Sequence, residues 1–286
     1  MTDATVTNPP VSITKYSVTD SAYSVTDSTA GDLPPIPAFA APGRAAPSLR
    51  GQVDWQAATV VEVRRETPNA VTVRLALPVW NAHVAGQHYM LRLTAADGYT
   101  AQRHYSVASA PDDAGHVEFT VDRMPGGEVS GFVHDVARPG DLLEVRGPLG
   151  GFFAWPGDRP ALLVAGGSGL VPLMAMVRHR RRRGSAVPLR LVACARTPED
   201  LLYAEELVPR PGEEHTIRYS RAAPAGYPHP VGRLDAAALA PHAAAVLADE
   251  HYEVFVCGST GFAEHAGRLL TSAGVPTSRI RVERFG

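Results

Sequence analysis

Cysteine is scarce in this chain. Of 286 residues only Cys194 and Cys257 carry thiols, which excludes a disulfide framework and any four-cysteine cluster built from this chain alone. Charge of one sign is equally scarce: a formal net charge of -2 supplies no basic field for a phosphate backbone, so nucleic acid is excluded as a partner. No run is long and apolar enough to span a bilayer, and the N-terminus has neither the basic opening nor the apolar stretch of a secretory signal. With so few cysteines, these absences lead us to expect a cytoplasmic protein. The histidines lack ligand spacing, with no H-E-x-x-H and no C-x-x-C with histidine partners, so no metal is expected. Large aliphatic side chains are rare between residues 1 and 50, where Ser, Thr, Pro, Ala and Gly dominate; such a segment buries too little surface to offset its ordering entropy and is read as a disordered tail. Within it Tyr16-Ser17-Val18-Thr19-Asp20 recurs as Tyr23-Ser24-Val25-Thr26-Asp27, a copy too short for a solenoid, which reads as part of an idle extension or as a docking or phosphorylation segment.

The chain as a whole has 45% hydrophobic and 20% charged residues, and its length suits two ordinary domains. Between residues 51 and 156 short β-rich runs (Thr59 to Arg64, Ala70 to Leu77, His88 to Leu93, Ala101 to Ala108, His116 to Arg123, Leu142 to Arg146) are separated by breakers such as Pro68-Asn69, Asp97-Gly98 and Pro139-Gly140-Asp141. Six such runs without a helical period predict a small antiparallel barrel. From 157 to 286 the pattern alternates. Ala161 to Ala165, Leu189 to Ala193, His215 to Tyr219 and Glu253 to Cys257 read as buried strands, while Leu170 to Arg183, Pro198 to Leu207 and Gly261 to Ala273 read as helices, the first stopped by Gly184. That order predicts a parallel sheet covered on both faces, a Rossmann-like α/β domain.

Arg103-His104-Tyr105-Ser106 sits in one predicted strand, and Gly126-Gly127-Glu128-Val129-Ser130 follows one strand later. A flavin needs a cation for its phosphate, a flat ring against its own and a hydroxyl near its reactive nitrogen, and one strand can supply all three. The glycine pair admits backbone amides to a pyrophosphate, and a helix from Val129 to Val136 would add its positive end. At this point the chain resembles the ferredoxin–NADP reductase superfamily, whose flavin fingerprint is Arg-x-Tyr-Ser/Thr with a downstream Gly-x-x-Ser/Thr. The resemblance runs on through Gly147-Pro148-Leu149-Gly150-Gly151-Phe152 to the terminal Glu283-Arg284-Phe285-Gly286. It implies FAD rather than FMN, with Arg103 on a flavin phosphate, Tyr105 on the isoalloxazine, Ser106 near N5 and Gly127 to Ser130 on pyrophosphate. It also places His104, Val121, Glu128 and Val129 around the flavin, and makes Ser106, Cys257 and Glu283 the catalytic candidates, with Phe285 beside them.

Gly166-Gly167-Ser168-Gly169-Leu170-Val171-Pro172 lies between a predicted strand and helix, where amides and the helix dipole bind anions. It departs from G-x-G-x-x-G spacing but matches the superfamily's Gly-Gly-x-Gly-x-x-Pro loop, which implies nicotinamide-dinucleotide binding by Gly167, Ser168, Gly169 and Pro172. The same resemblance puts Cys257 and Gly258 beside the nicotinamide; a small buried hydrophobe is the other reading of Cys257. Arg196, Ser220 and Arg221 follow predicted strands where the family binds the adenosine end, and a Ser-Arg pair suits a 2′-phosphate, favouring NADPH over NADH. Arg178-His179-Arg180-Arg181-Arg182-Arg183 reads as a solvated helix end that complements the dipole, or as a docking patch for an acidic protein. The activity implied is reduction of flavin by NAD(P)H. With no C-x4-C-x2-C run in the chain, electrons then pass to a separate acceptor, a ferredoxin or an oxygenase component. The alternatives are a diaphorase-like reductase of free flavin, quinone or ferric chelates, and a flavin-binding subunit that does not turn over alone.

Overall fold

The computed structural model describes residues 54–95 and 97–285, and every structural statement below concerns them. The expectations for the tail and its repeat lie outside those residues.

Six strands make the first sheet: β1 (Gln56–Thr67), β2 (Ala70–Ala76), β3 (His88–Thr94), β4 (Thr100–Ser106), β5 (His116–Asp122) and β6 (Leu142–Leu149), in the order β4-β3-β6-β1-β2-β5. All neighbours are antiparallel, and a Val107–Phe119 bridge joins the two outer strands, closing the sheet into a barrel. Alternate residues fill it: Leu75, Leu91, Phe119 and Val145 have no exposed surface. Helix α1 (Glu128–Asp135) covers one end by adding Val129, Phe132 and Val133 to the same core.

The second sheet is wholly parallel, with β7 (Ala161–Gly166), β8 (Leu189–Ala195), β9 (Glu213–Tyr219), β10 (Glu253–Ser259) and β11 (Ile280–Phe285) in the order β11-β10-β7-β8-β9. Period two sends Leu163 and Ala165 into a core shared with α2 (Leu170–Arg182). Leu162 and Val164 enter the opposite core, with α3 (Ala236–Ala248) and α4 (Thr260–Ser272). Strand order reverses between β7 and β10, which opens a crevice at their C-terminal ends, where such sheets place ligands.

Three expectations are corrected. Pro198 to Leu207 is not a helix but two 3-10 turns, Pro198–Asp200 and Ala204–Glu206. Leu201, Leu202, Tyr203 and Leu207 are all buried, and Tyr203 takes φ 54° to turn inward. Helix α3 and strand β11 went unpredicted. The third correction concerns the arginine run, which is largely buried ion pairing and not a solvated end. Arg180, 3% exposed, and Arg181 both grip the buried Glu213, at 3.1 and 2.6 Å. Only the last two arginines stand in solvent, and Gly184 stops the helix as expected, at φ 56°.

Arg178 crosses to the barrel. It donates to the Ala108 carbonyl at 2.9 Å and pairs with Glu118 of β5 at 3.3 Å and with Glu206. Tyr203 Oη donates to Thr120 Oγ1 of β5, and Arg281 of β11 donates to the Ala154 carbonyl at 2.7 Å.

Candidate active site

Strand β4 presents its motif on two faces. Antiparallel register sets Arg103 against Leu91, Tyr105 against Tyr89, and Ser106 against His88. The exposed Arg103 donates only to the Gln102 carbonyl, at 2.7 Å, and has no carboxylate partner among the described residues. Tyr105 is half-buried against the barrel core, and burial pushes its phenol up to about 12. Ser106 is 6% exposed, and its Oγ is buried with no hydrogen-bond partner. An orphaned hydroxyl costs roughly 1–3 kcal/mol. A ligand atom that bonded it would recover that energy. His104 is exposed, and its ring meets His88 edge-on at 5.0 Å; burial, then His104 itself, lowers His88 to about 4.

Gly127 precedes α1, and its backbone leaves no room for a Cβ, which would stand 2.5 Å from Ser130 Oγ. Glycine therefore lets the chain turn tightly onto the helix's free amides. The Ser130 hydroxyl is occupied within that turn, donating to Gly127 O at 3.2 Å and accepting from Met124 N at 3.3 Å. Its part is to shape the loop. Glu128 is exposed in the first turn and accepts from Tyr99 Oη at 3.2 Å, whereas Val129 is in the core. The Val121 side chain is wholly inside the barrel, and its carbonyl bonds His134 Nε2 at 2.8 Å.

In the second unit β7 ends at Gly166 and a 3-10 turn, Gly167–Gly169, leads into α2. Gly167 adopts φ 57° with open space beside it, while a Cβ on Gly169 would lie 2.1 Å from the Cys257 carbonyl. The turn can approach β10 only as glycine. Pro172 is buried in the first turn of α2, where a missing N–H breaks no intrahelical bond. Ser168 lies beside Asp122 at the end of β5, which brings this loop against the barrel. Burial pushes the Asp122 carboxyl up, and the neighbouring Ser168 hydroxyl works against it.

Cys257 pairs with Glu283, Gly258 with Arg284 and Ser259 with Phe285 along β10 and β11. Cys257 is fully buried, and burial followed by Glu283 pushes its thiol well above the usual value, so the side chain is uncharged. A Cβ on Gly258 would meet Phe262 at 2.8 Å. Burial raises Glu283 to about 7, and its Oε2 has no partner. Phe285 packs on the adjoining core. At the ends of β8 and β9 the backbone joins Arg221 N to Arg196 O at 2.9 Å and Ser220 N to Ala195 O at 3.0 Å, so two exposed arginines without carboxylate partners among the described residues stand side by side.

The oxidoreductase FAD-binding domain family matches residues 57–153, and the oxidoreductase NAD-binding domain family matches residues 163–268. The ferredoxin–NADP reductase B of Sorangium cellulosum (strain So ce56) is 34% identical over 208 residues, 70% of this chain and 84% of that protein. The chain belongs to the ferredoxin–NADP reductase family. This reductase is therefore an NAD(P)H-dependent flavoprotein that binds FAD. The reductase component of propane 2-monooxygenase from Rhodococcus jostii (strain RHA1) is 28% identical over 236 residues, 79% of this chain but only 62% of that relative. The reductase also shares its fold with the FAD/NAD-binding domain of nitric oxide dioxygenase from Vibrio cholerae O1 biovar El Tor (TM-score 0.69, 21% identity), covering 81% of this chain and 98% of that one. The orphaned Ser106 hydroxyl, Arg103 with no carboxylate partner among the described residues and the tight Gly127 turn are chemically suited to a flavin's ring edge and phosphates. Asp122 and His88 escaped sequence reasoning, because their partners, Ser168 and His104, come from other elements.

Proposed function

We propose that this chain is an NADPH-preferring reductase that passes electrons to a separate cytoplasmic protein, a ferredoxin or an oxygenase component, with a barrel domain over 51–156 and a nucleotide domain over 157–286. The observation that carries the reading is the buried, unpartnered Ser106 hydroxyl in the same strand as Tyr105 and Arg103. FAD, when bound, takes two electrons from the reduced nicotinamide and releases them onward. Arg103 and the first amides of α1 hold its phosphates, Tyr105 orients its ring, and Ser106 hydrogen-bonds at the ring edge. Gly167 to Gly169 admit the second dinucleotide's pyrophosphate, and Arg196, Ser220 and Arg221 receive its 2′-phosphate. Glu283, raised to about 7 by burial, can take up or release a proton near neutral pH.

The test is to identify the flavin extracted from purified protein and to compare steady-state turnover with ferredoxin and with free flavin as acceptors. FAD and a preference for ferredoxin are expected; FMN, or free flavin as the better acceptor, overturns the reading and favours a diaphorase. Arg103→Ala is expected to lower flavin affinity by about 1.5–3 kcal/mol, measured by equilibrium titration. Replacing Ser220 and Arg221 together by Ala is expected to shrink the ratio of kcat/KM for NADPH over NADH, mainly through KM.

A further inference from the structure

We propose that a cleft at the far end of α2 from the dinucleotide loop, lined by both units, binds a small polyanion, a compound with several phosphate or carboxylate groups, through arginines of the parallel-sheet unit. The cleft has a volume of about 520 Å³, within the range of small-ligand sites, and none of the candidate active-site residues lines it. Helix α2 rises about 18 Å over its length, so the cleft is well removed from the loop at its start.

Its walls bear six arginines against four carboxylates, drawn from both units. Most of these groups are committed. Arg74 of the barrel pairs with Asp113 and Glu118 at 2.9 and 3.0 Å, Arg178 pairs with Glu118 and Glu206, Arg181 grips Glu213, and Arg64 pairs with Glu62 and Glu66. Two guanidiniums on the parallel-sheet side are the least committed, Arg182 being only loosely paired. Arg182 approaches Asp112 and Asp113 no closer than 3.9 Å, beyond hydrogen-bond reach, and the exposed Arg210 side chain has no ion pair or hydrogen bond among the described residues. Each guanidinium offers five N–H donors in a fixed fork suited to phosphate or carboxylate oxygens. Glu205, also on the wall, sets a limit: an anion carrying one charge gains little beside it, whereas one that reaches both Arg182 and Arg210 gains two charge-assisted contacts.

The experiment uses the full chain with FAD and saturating NADP+, so that the nucleotide site is filled. Sodium tripolyphosphate and citrate are titrated separately by calorimetry, with sodium chloride of equal ionic strength as the control. Saturable one-to-one binding of either probe is expected, tripolyphosphate alone marking a phosphate ligand and citrate alone a carboxylate one. Replacing Arg182 and Arg210 together by Gln, both at the surface, is expected to weaken binding about tenfold or more, while Arg221→Ala leaves it unchanged. No saturable heat with either probe, or binding lost in Arg221→Ala and kept in the double variant, overturns the proposal.

Discussion

His83 is 3% exposed, with Nε2 at 3.2 Å from the Ser109 carbonyl and Nδ1 without a partner, and burial lowers it to about 4. The unfolded chain titrates this group near 6.5, so between about 6.5 and 4 it binds a proton that the folded chain refuses. The stability concerned is present above pH 6.5 and is lost as pH falls towards 4, on the order of 3 kcal/mol. A melting midpoint that drops across this window is expected, and His83→Gln is expected to flatten the drop; an unchanged slope assigns the effect to other groups. Glu283 shifts the other way. Its folded value of about 7 lies above that of a free carboxyl, so its preference for the protonated form is complete below pH 4.5 and fades as pH rises through 7. A kcat/KM profile for NADPH oxidation is expected to show an inflection near 7 that Glu283→Gln abolishes.

The C-terminal turn of α2 shows what happens when charges leave water together. Arg180 and Arg181 converge on one buried carboxylate, and Arg180 also donates to the carbonyls of Val187 and Pro211 at 2.6 and 2.9 Å. Removing one partner strands the others, so Glu213→Gln is expected to lower unfolding free energy in urea by about 3–5 kcal/mol. A run of arginines reads as a solvated helix end because the acid that draws it inward lies some thirty residues on, invisible to local pattern. Helix α3 escaped for a different reason: Ala236–Ala248 is mostly alanine, with Pro241 inside, so no apolar stripe marks it, although Asp235, which accepts from Ala238 N, is a readable cap. In β11 charged residues interrupt the apolar alternation, as suits an edge strand. The strands separated by Gly and Pro breakers were legible, and so were the glycine loops and Arg103 to Ser106, since each is contiguous in sequence and needs only local chemistry. Asp122 was not, because only the fold brings it to Ser168.

The two units meet through apolar and polar groups together: Phe153 lies edge-on to Phe255 of β10 at 5.3 Å, in one buried cluster with Ala108, Trp155 and the side chains of α2. Arg178 reaches Ala108 and Glu118, Tyr203 reaches Thr120, and Arg281 reaches Ala154. Arg178→Met leaves Glu118 and Glu206 without that partner and is expected to uncouple the units. Flavin release and loss of far-ultraviolet circular dichroism, which should coincide in the parent, are expected to separate into two thermal steps. A single coincident transition in the variant would show that apolar contact suffices. The arginine-based seam also bears on how the protein's stability can be measured at all. Guanidinium chloride is at once a denaturant, a salt and a competitor for carboxylates, whereas urea carries no charge. The guanidinium–carboxylate pairing in the seam is therefore weakened by the first reagent and not by the second, so linear extrapolation from the two denaturants should return different free energies for one molecule, the urea value being the larger.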